Sequence, residues 1–425
     1  MRLASFAPLR HRPFALFWTG AFVSNIGTWM ETVAIGIYVT DTTGRSTWTG
    51  IVAAAGFVPT AILGPVGGAL ADRLPRKRIL LTTTLVQTTL AGLLTALAIA
   101  GEPAPVTVTL IVFASGIASS IGFPSYQALL PDLVPPEDLP GAIGLSSAQW
   151  NLGRVIGPLV AGIAIHFGGL AWALGINTVS FLAVIGVLLV LALPAPRHGG
   201  HERILAAIRS GVRYAWHEPG QRIVLESMAL VTLFAAPFIA LMPAMSIKVL
   251  HEGALGTSVL VTAQGIGAVA MGLSMGYLGR RYGHRRVLLA MITWLTPALL
   301  LYAYAPVLPL SALAVFAVGA LYLGAFSSFT TITQLRAPQH LRGRVISVNL
   351  VILGTVYPAS SVVQGAIADR VGLRATTAGA ALLMGATLAV VRLRSPDRTA
   401  VLDEPVDPDG FERLGDDALS TSDGA

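Results

Sequence analysis

The chain has 425 residues, 54% of them hydrophobic and 12% charged, with no cysteine and a formal charge of +7, and its mean hydropathy is +0.71. That mix lies outside soluble globular domains and points to lipid as the main solvent. The absence of cysteine excludes a disulfide framework, a thiol nucleophile and a thiolate metal site.

Apolar segments of about 20 residues, each able to cross a ~30 Å hydrocarbon core as a helix, recur along the whole chain. Twelve are expected, at 14–40, 49–71, 79–100, 105–129, 141–166, 170–193, 222–250, 256–279, 286–305, 309–334, 344–368 and 374–393. The alternating ten-residue segments of a membrane barrel are absent, which leaves a helical bundle, since the backbone must satisfy its own hydrogen bonds in lipid. The predicted fold is all-α integral membrane. Its parts are an N-terminus at 1–13, a six-helix bundle at 14–193, a linker at 194–221, a second bundle at 222–394 and an acidic tail at 395–425.

The first span follows "MRLASFAPLRHRPFALFW" without a small-residue cleavage site, so it is expected to be retained. Inside it Ser24, Thr28 and Glu31 fall at spacings of four and three, a polar stripe that should face a cavity. Glu31 is either an exchangeable proton carrier or a structural carboxylate bonded to neighbouring helices, because intramembrane acids need a reason to persist. Between the second and third spans, "GGALADRLPRKRILL" places Asp72 among Arg73, Arg76, Lys77 and Arg78, with Gly68 available for close helix approach. A carboxylate at an interface needs a partner, which the adjacent bases or a helix N-terminus can supply. The fifth span carries "GRVIGPLVAG", where Gly153, Gly157 and Gly162 suit tight helix packing and Pro158 a kink. Arg154 within it is the one base deep in a first-half span; it pairs with Glu31, attracts an anion, or snorkels to the headgroups.

The linker residues Ile204, Leu205, Ile208, Val212 and Trp216 alternate with Arg203, Arg209 and Arg213 as in a helix lying in the membrane interface. Glu226 then opens the seventh span at the interface. "GALADRLPRKRIL" from Gly68 and "GYLGRRYGHRRVL" from Gly276 match at a spacing of 208, and "PEDLPGAIGL" from Pro136 and "PQHLRGRVIS" from Pro338 at 202. These matches imply a duplicated six-helix unit with a site between its copies. The tail at 395–425 holds nine acids and two bases and should be disordered. Elsewhere bases gather on alternate loops, which puts both termini and the linker in the cytoplasm and explains the positive charge without nucleic acid.

Residues 68–77 resemble the loop signature of the major facilitator superfamily, Gly-x-Leu-Ala-Asp-Arg-x-Gly-Arg-Lys, departing once at Pro75. The resemblance implies that Asp72 latches the two halves together on the cytoplasmic side against the start of the eleventh span, near Arg342, Gly343 and Arg344. Arg280 takes the acid's place in the second copy, so only the first can latch in this way. The fifth-span string is similar to the Gly-x-x-x-Gly-Pro-x-x-Gly-Gly motif of the antiporter branches, with Ala161 at the penultimate glycine. "STWTG" at 46–50 and "LRGRVISV" at 341–348 look like the bacterial subgroup that holds the enterobactin exporter and macrolide and multidrug efflux proteins. The superfamily's arginine motif is missing from the fourth span, which shifts proton coupling to Glu31 and Arg154.

On that resemblance the cavity is lined from spans one, four, seven and ten by Asn25, Trp29, Ser119, Phe123, Tyr126, Gln127, Phe234, Phe238, Met242, Tyr322, Phe326 and Phe329. Aromatic and Met surfaces suit bulky amphiphiles; the same residues would also serve as lipid-facing aromatics. The expected protein is an inner-membrane secondary transporter, a monomer exporting a small molecule by proton antiport and alternating access. A facilitator or symporter of the same fold, and a non-transporting receptor, stay open. No phosphate-cradling loop occurs, so ATP-driven transport is not expected, and without a His-Glu-x-x-His spacing no metal site is; a transporter of this kind is expected to be neither an enzyme nor dependent on a cofactor.

Overall fold

A computed structural model describes residues 3–191, 204–338 and 341–404, without the side chains of residues 3–5, Asp72 and 204–210. The linker's first part, the tail beyond 404, and the side chains expected to form the latch acid and half of the linker helix's stripe therefore lie outside the described residues. The helices are α1 (Arg12–Thr43), α2 (Ser46–Arg73), α3 (Arg76–Ala100), α4 (Pro105–Leu133), α5 (Leu139–Val190), α6 (Ile204–His217) and α7 (Pro219–Phe234). They continue with α8 (Pro237–Lys248), α9 (Ala254–Tyr282), α10 (His284–Tyr304), α11 (Leu308–Arg336), α12 (Arg342–Val371) and α13 (Leu373–Arg394).

Ten helices among the described residues are long and apolar enough to cross a membrane. One of them runs 55 residues, from Pro136 to Val190, or roughly 80 Å, which is two crossings. It breaks at Gly169, whose φ of 68° and ψ of −166° suit only glycine and split α5 into 139–168 and 170–190. The 32-residue α1 supplies the last crossing; Ser24, Asn25, Thr28, Glu31 and Thr32 dilute its hydropathy. Helices α7 and α8 form a single crossing with a bend at Ala235 and Ala236, just before Pro237. The twelve expected spans are thus recovered within a few residues at each end. An even number of crossings brings both chain termini to one face, here called the terminal face, opposite the far face.

Helices α1–α5 form the first bundle and α7–α13 the second. They meet along two seams, α2 against α12 and α5 against α9. The linker helix α6 sits on the start of α12, where a Cβ on Gly211 would lie 2.8 Å from the Arg344 carbonyl oxygen. Tyr214 and Ala215 are buried against Ala337, Leu341 and Val345, while Val212 and Trp216 of the expected stripe are exposed. The helix is therefore seated by the face the apolar pattern did not mark. One expectation changes at the chain end. Residues 398–403 form a 3-10 turn, because Arg285 Nε donates to Thr399 Oγ1 at 3.2 Å and Arg336 Nη1 to the Val401 carbonyl at 2.8 Å. Arg398 also pairs with Glu226, so the ordered chain extends into the segment expected to be disordered.

Candidate functional site

The far ends of the seams are held by a carboxylate. Asp369 lies in the last turn of α12 and accepts from the backbone N–H of Ser46 at 2.6 Å, from that of Thr47 at 3.0 Å and from Thr47 Oγ1 at 2.5 Å. Those two N–H groups open α2 and have no partner within their own helix, so an anion from the other bundle caps α2 and meets the positive end of its dipole. Lys248 of α8 pairs with the same carboxylate at 3.2 Å; Arg45, at 3.8 Å and far more exposed, adds little. Sequence reading passed over Asp369, although a signal was there. "GAIADRVG" from Gly365 repeats the Gly-Ala-x-Ala-Asp-Arg of Gly68 to Arg73, with Gly372 where the superfamily signature has its second glycine. That Gly372, at φ 89°, makes the one-residue turn into α13.

From this clamp the α2–α12 seam runs inward on small residues. A Cβ on Gly365 would lie 2.7 Å from the Ser46 carbonyl oxygen, one on Gly50 2.3 Å from that of Ser361, and one on Gly354 2.7 Å from Ala61 Cβ. Past that point the contact ends: a Cβ on Gly64, Gly68 or Gly343 would meet nothing within 4 Å. Gly68, expected at a close helix approach, faces open space because α2 and α12 have parted at the terminal face. Arg73 and Arg342 are exposed there. Arg76 instead braces α3 on α4 through the Ala128 carbonyl and Asp132, both at 2.7 Å, and Lys77 Nζ donates to the Leu191 carbonyl at 2.6 Å. Two bases of the signature thus staple the first bundle internally.

The glycines of the fifth-span motif serve two contacts. Cβ atoms on Gly153 and Gly157 would lie 2.3 Å from Asn25 Nδ2 and 2.6 Å from Trp29 Cβ, so this face seats α1. A Cβ on Gly162 would lie 2.6 Å from Ser258 Oγ, so the last glycine seats α9 of the second bundle. Pro158 is buried between them.

Glu31 and Arg154 do not pair. Gly27 packs on Asn177 and Ser180, and Glu31, one turn on, accepts from Asn177 Nδ2. The stripe expected to face a cavity therefore turns Glu31 into the first bundle. Arg154 instead lies over the Trp29 ring, 5.5 Å from its centroid. The phenols of Tyr322 and Tyr357, on α11 and α12, lie within electrostatic reach of it across the bundle boundary. Trp29, Arg154, Tyr322 and Tyr357 each sit within three residues of the middle of their crossing, so the four meet between the bundles at mid-depth.

An aromatic track leads from this centre through Trp29, Trp150, Phe123 and Tyr126. Phe123 is 47% and Trp150 46% exposed, and Gln127 and Ser119 are exposed. Across the gap Phe238, Tyr322, Phe326 and Phe329 stack edge to face or tilted. Several expected lining residues are instead packing residues. Asn25 donates to the carbonyls of Gln149 and Trp150, and Met242, Phe238 and Phe329 are buried in the second bundle's core. Phe234 packs partly buried beside them. Sequence reading missed Trp150, Tyr357 and Phe57, the last two forming an aromatic contact across the α2–α12 seam.

Twelve crossings in two matched bundles, with a mid-depth polar and aromatic centre between them, define a membrane transporter of the major facilitator fold. The chain belongs to the family described as transmembrane secretion effectors, whose model matches residues 3–412. It is 27% identical over 383 residues to the multidrug efflux pump Tap of Mycolicibacterium fortuitum, covering 86% of this chain and 91% of that protein. It is 25% identical over 370 residues to macrolide efflux protein A of Streptococcus pyogenes, covering 85% and 90%. Among solved structures, a mutant of the nucleoside transporter NupG superposes with a TM-score of 0.74 at 11% identity, over 89% of this chain and 99% of that one.

Proposed function

We propose that the protein exports a small amphiphilic molecule from a bacterial cell across the inner membrane, in exchange for protons, by alternating access. The terminal face is cytoplasmic in this reading, because the Lys and Arg clusters gather on the loops of that face. The described state is then inward-facing. The observation that carries the proposal is the mid-depth centre of Trp29, Arg154, Tyr322 and Tyr357, drawn from both bundles and shut off from the far face by the Asp369 clamp. Rocking the bundles about that centre would break the clamp and close the terminal face, where Asp72 is the proposed latch. Glu31 is the proposed proton carrier, since an acid at this depth that rests on one neutral amide has no countercharge of its own. The multidrug and macrolide names of the relatives support efflux of amphiphiles.

The test is an efflux panel of dyes and macrolides in a pump-deficient bacterial host, run with and without an uncoupler. Expression should lower accumulation of at least one compound, and the uncoupler should restore it. Accumulation that never depends on expression would speak for a receptor, and efflux that survives uncoupling for a facilitator.

A further inference from the structure

We infer that the mid-depth centre is a binding site for an organic anion with a flat apolar body, its acidic group held by Arg154. This deepens the export reading by naming the class of cargo. Arg154 carries a full charge at the middle of its crossing, a position that demands a counter-anion. Among the described residues it has no salt bridge and donates no hydrogen bond to the protein. Its Nε is sealed from solvent and unpartnered, and so is the Trp29 Nε1 beside it. Glu31 turns away from it onto Asn177, and Asp369 and Glu226 are paired elsewhere, with α2 and Lys248 and with Arg222 and Arg398.

The guanidinium is held over the Trp29 ring, 5.5 Å from its centroid, and its planar set of donors suits a carboxylate or another delocalised oxyanion. Tyr322 and Tyr357 of the second bundle lie within reach of it and are themselves held by edge contacts with Phe238 and Phe57. A cation would meet the guanidinium directly, and a neutral solute would leave the charge as it is. An anion alone compensates it. The inside-negative potential of a bacterial cell would also push such a cargo outward.

The test compares three probes that share one ring system: 2-naphthoate, neutral 2-naphthamide and cationic 2-naphthylmethylammonium. Binding to the purified full chain in detergent is followed by calorimetry. The wild type should bind naphthoate roughly tenfold or more tightly than naphthamide, and the ammonium most weakly. Arg154→Gln should bring naphthoate down to the naphthamide level while naphthamide binding stays, which also reports that the variant is folded. Arg154→Lys should keep part of the preference and covers the case in which Arg154→Gln does not fold. Equal binding of the three probes by the wild type, or a naphthoate preference that survives both variants, would overturn the inference. Binding in detergent needs no flux, so a vesicle assay without transport would sink the export reading and leave this site standing.

Discussion

Glu31, an acid, and Arg154, a base, both lie at mid-depth on the first bundle's helices, yet helix geometry keeps them apart. Glu31 shares the face of α1 that Gly27 presses onto Asn177 and Ser180, while Trp29, two residues earlier and about 200° around the helix, faces α5 and Arg154. A carboxylate bonded to one neutral amide can gain and lose a proton without breaking an ion pair, and that makes Glu31 the proposed coupling residue. Glu31→Gln should abolish proton-driven uptake into inside-out vesicles and spare substrate binding, because the amide keeps the contact with Asn177 but holds no exchangeable charge. Coupled flux that persists in the variant would remove Glu31 from the mechanism. A single sequence exposes the polar stripe but not the direction it faces, which depends on where 170–190 packs.

At the scale of elements, the clamp on α2 and the seam of small residues hold the far ends of the bundles together, and in the proposed cycle they set which face is shut. Asp369 gives three hydrogen bonds' worth of capping to a helix in the other bundle. Hydrogen bonds to a charged group contribute about 1.5–3 kcal/mol net each. Asp369→Asn removes the charge and with it the pairing to Lys248 and to the α2 dipole, so the equilibrium between the two facings should move by roughly tenfold toward far-face opening. Pulsed spin-label distances between single cysteines replacing Asp41 and Glu252, both exposed near the far face, read this directly, since the chain has no native cysteine. A second, longer population should grow in the variant; an unchanged distribution would show that the clamp does not set the state. The spans were legible because lipid enforces length and apolarity residue by residue, and the loop signature was legible because its bases interrupt an apolar run. The repeat at 365–370 marks Asp369 in the sequence, but its role was not legible, since its partners are backbone N–H groups more than 300 residues earlier in the chain and nothing local marks a helix N-terminus as waiting for an acid from elsewhere. Asn25, Met242, Phe238 and Phe329 pack in the described state for a related reason: an aromatic, Met or amide in a span packs a core as readily as it lines a path, and only the third dimension separates the two.

In the proposed function the whole molecule carries a centre that opens to each face in turn. Phe57 is the position to follow, being 43% exposed, on the α2 seam, and in edge contact with Tyr357 of the other bundle. A single cysteine at this position, in a variant that still transports, can be challenged with a membrane-impermeant thiol reagent in inside-out and in right-side-out vesicles. At rest it should react from the terminal face alone. With substrate and an inward proton gradient it should become reactive from the far face, and terminal-face reactivity should fall in step. Reaction that stays confined to one face under every gradient would contradict alternating access about this centre.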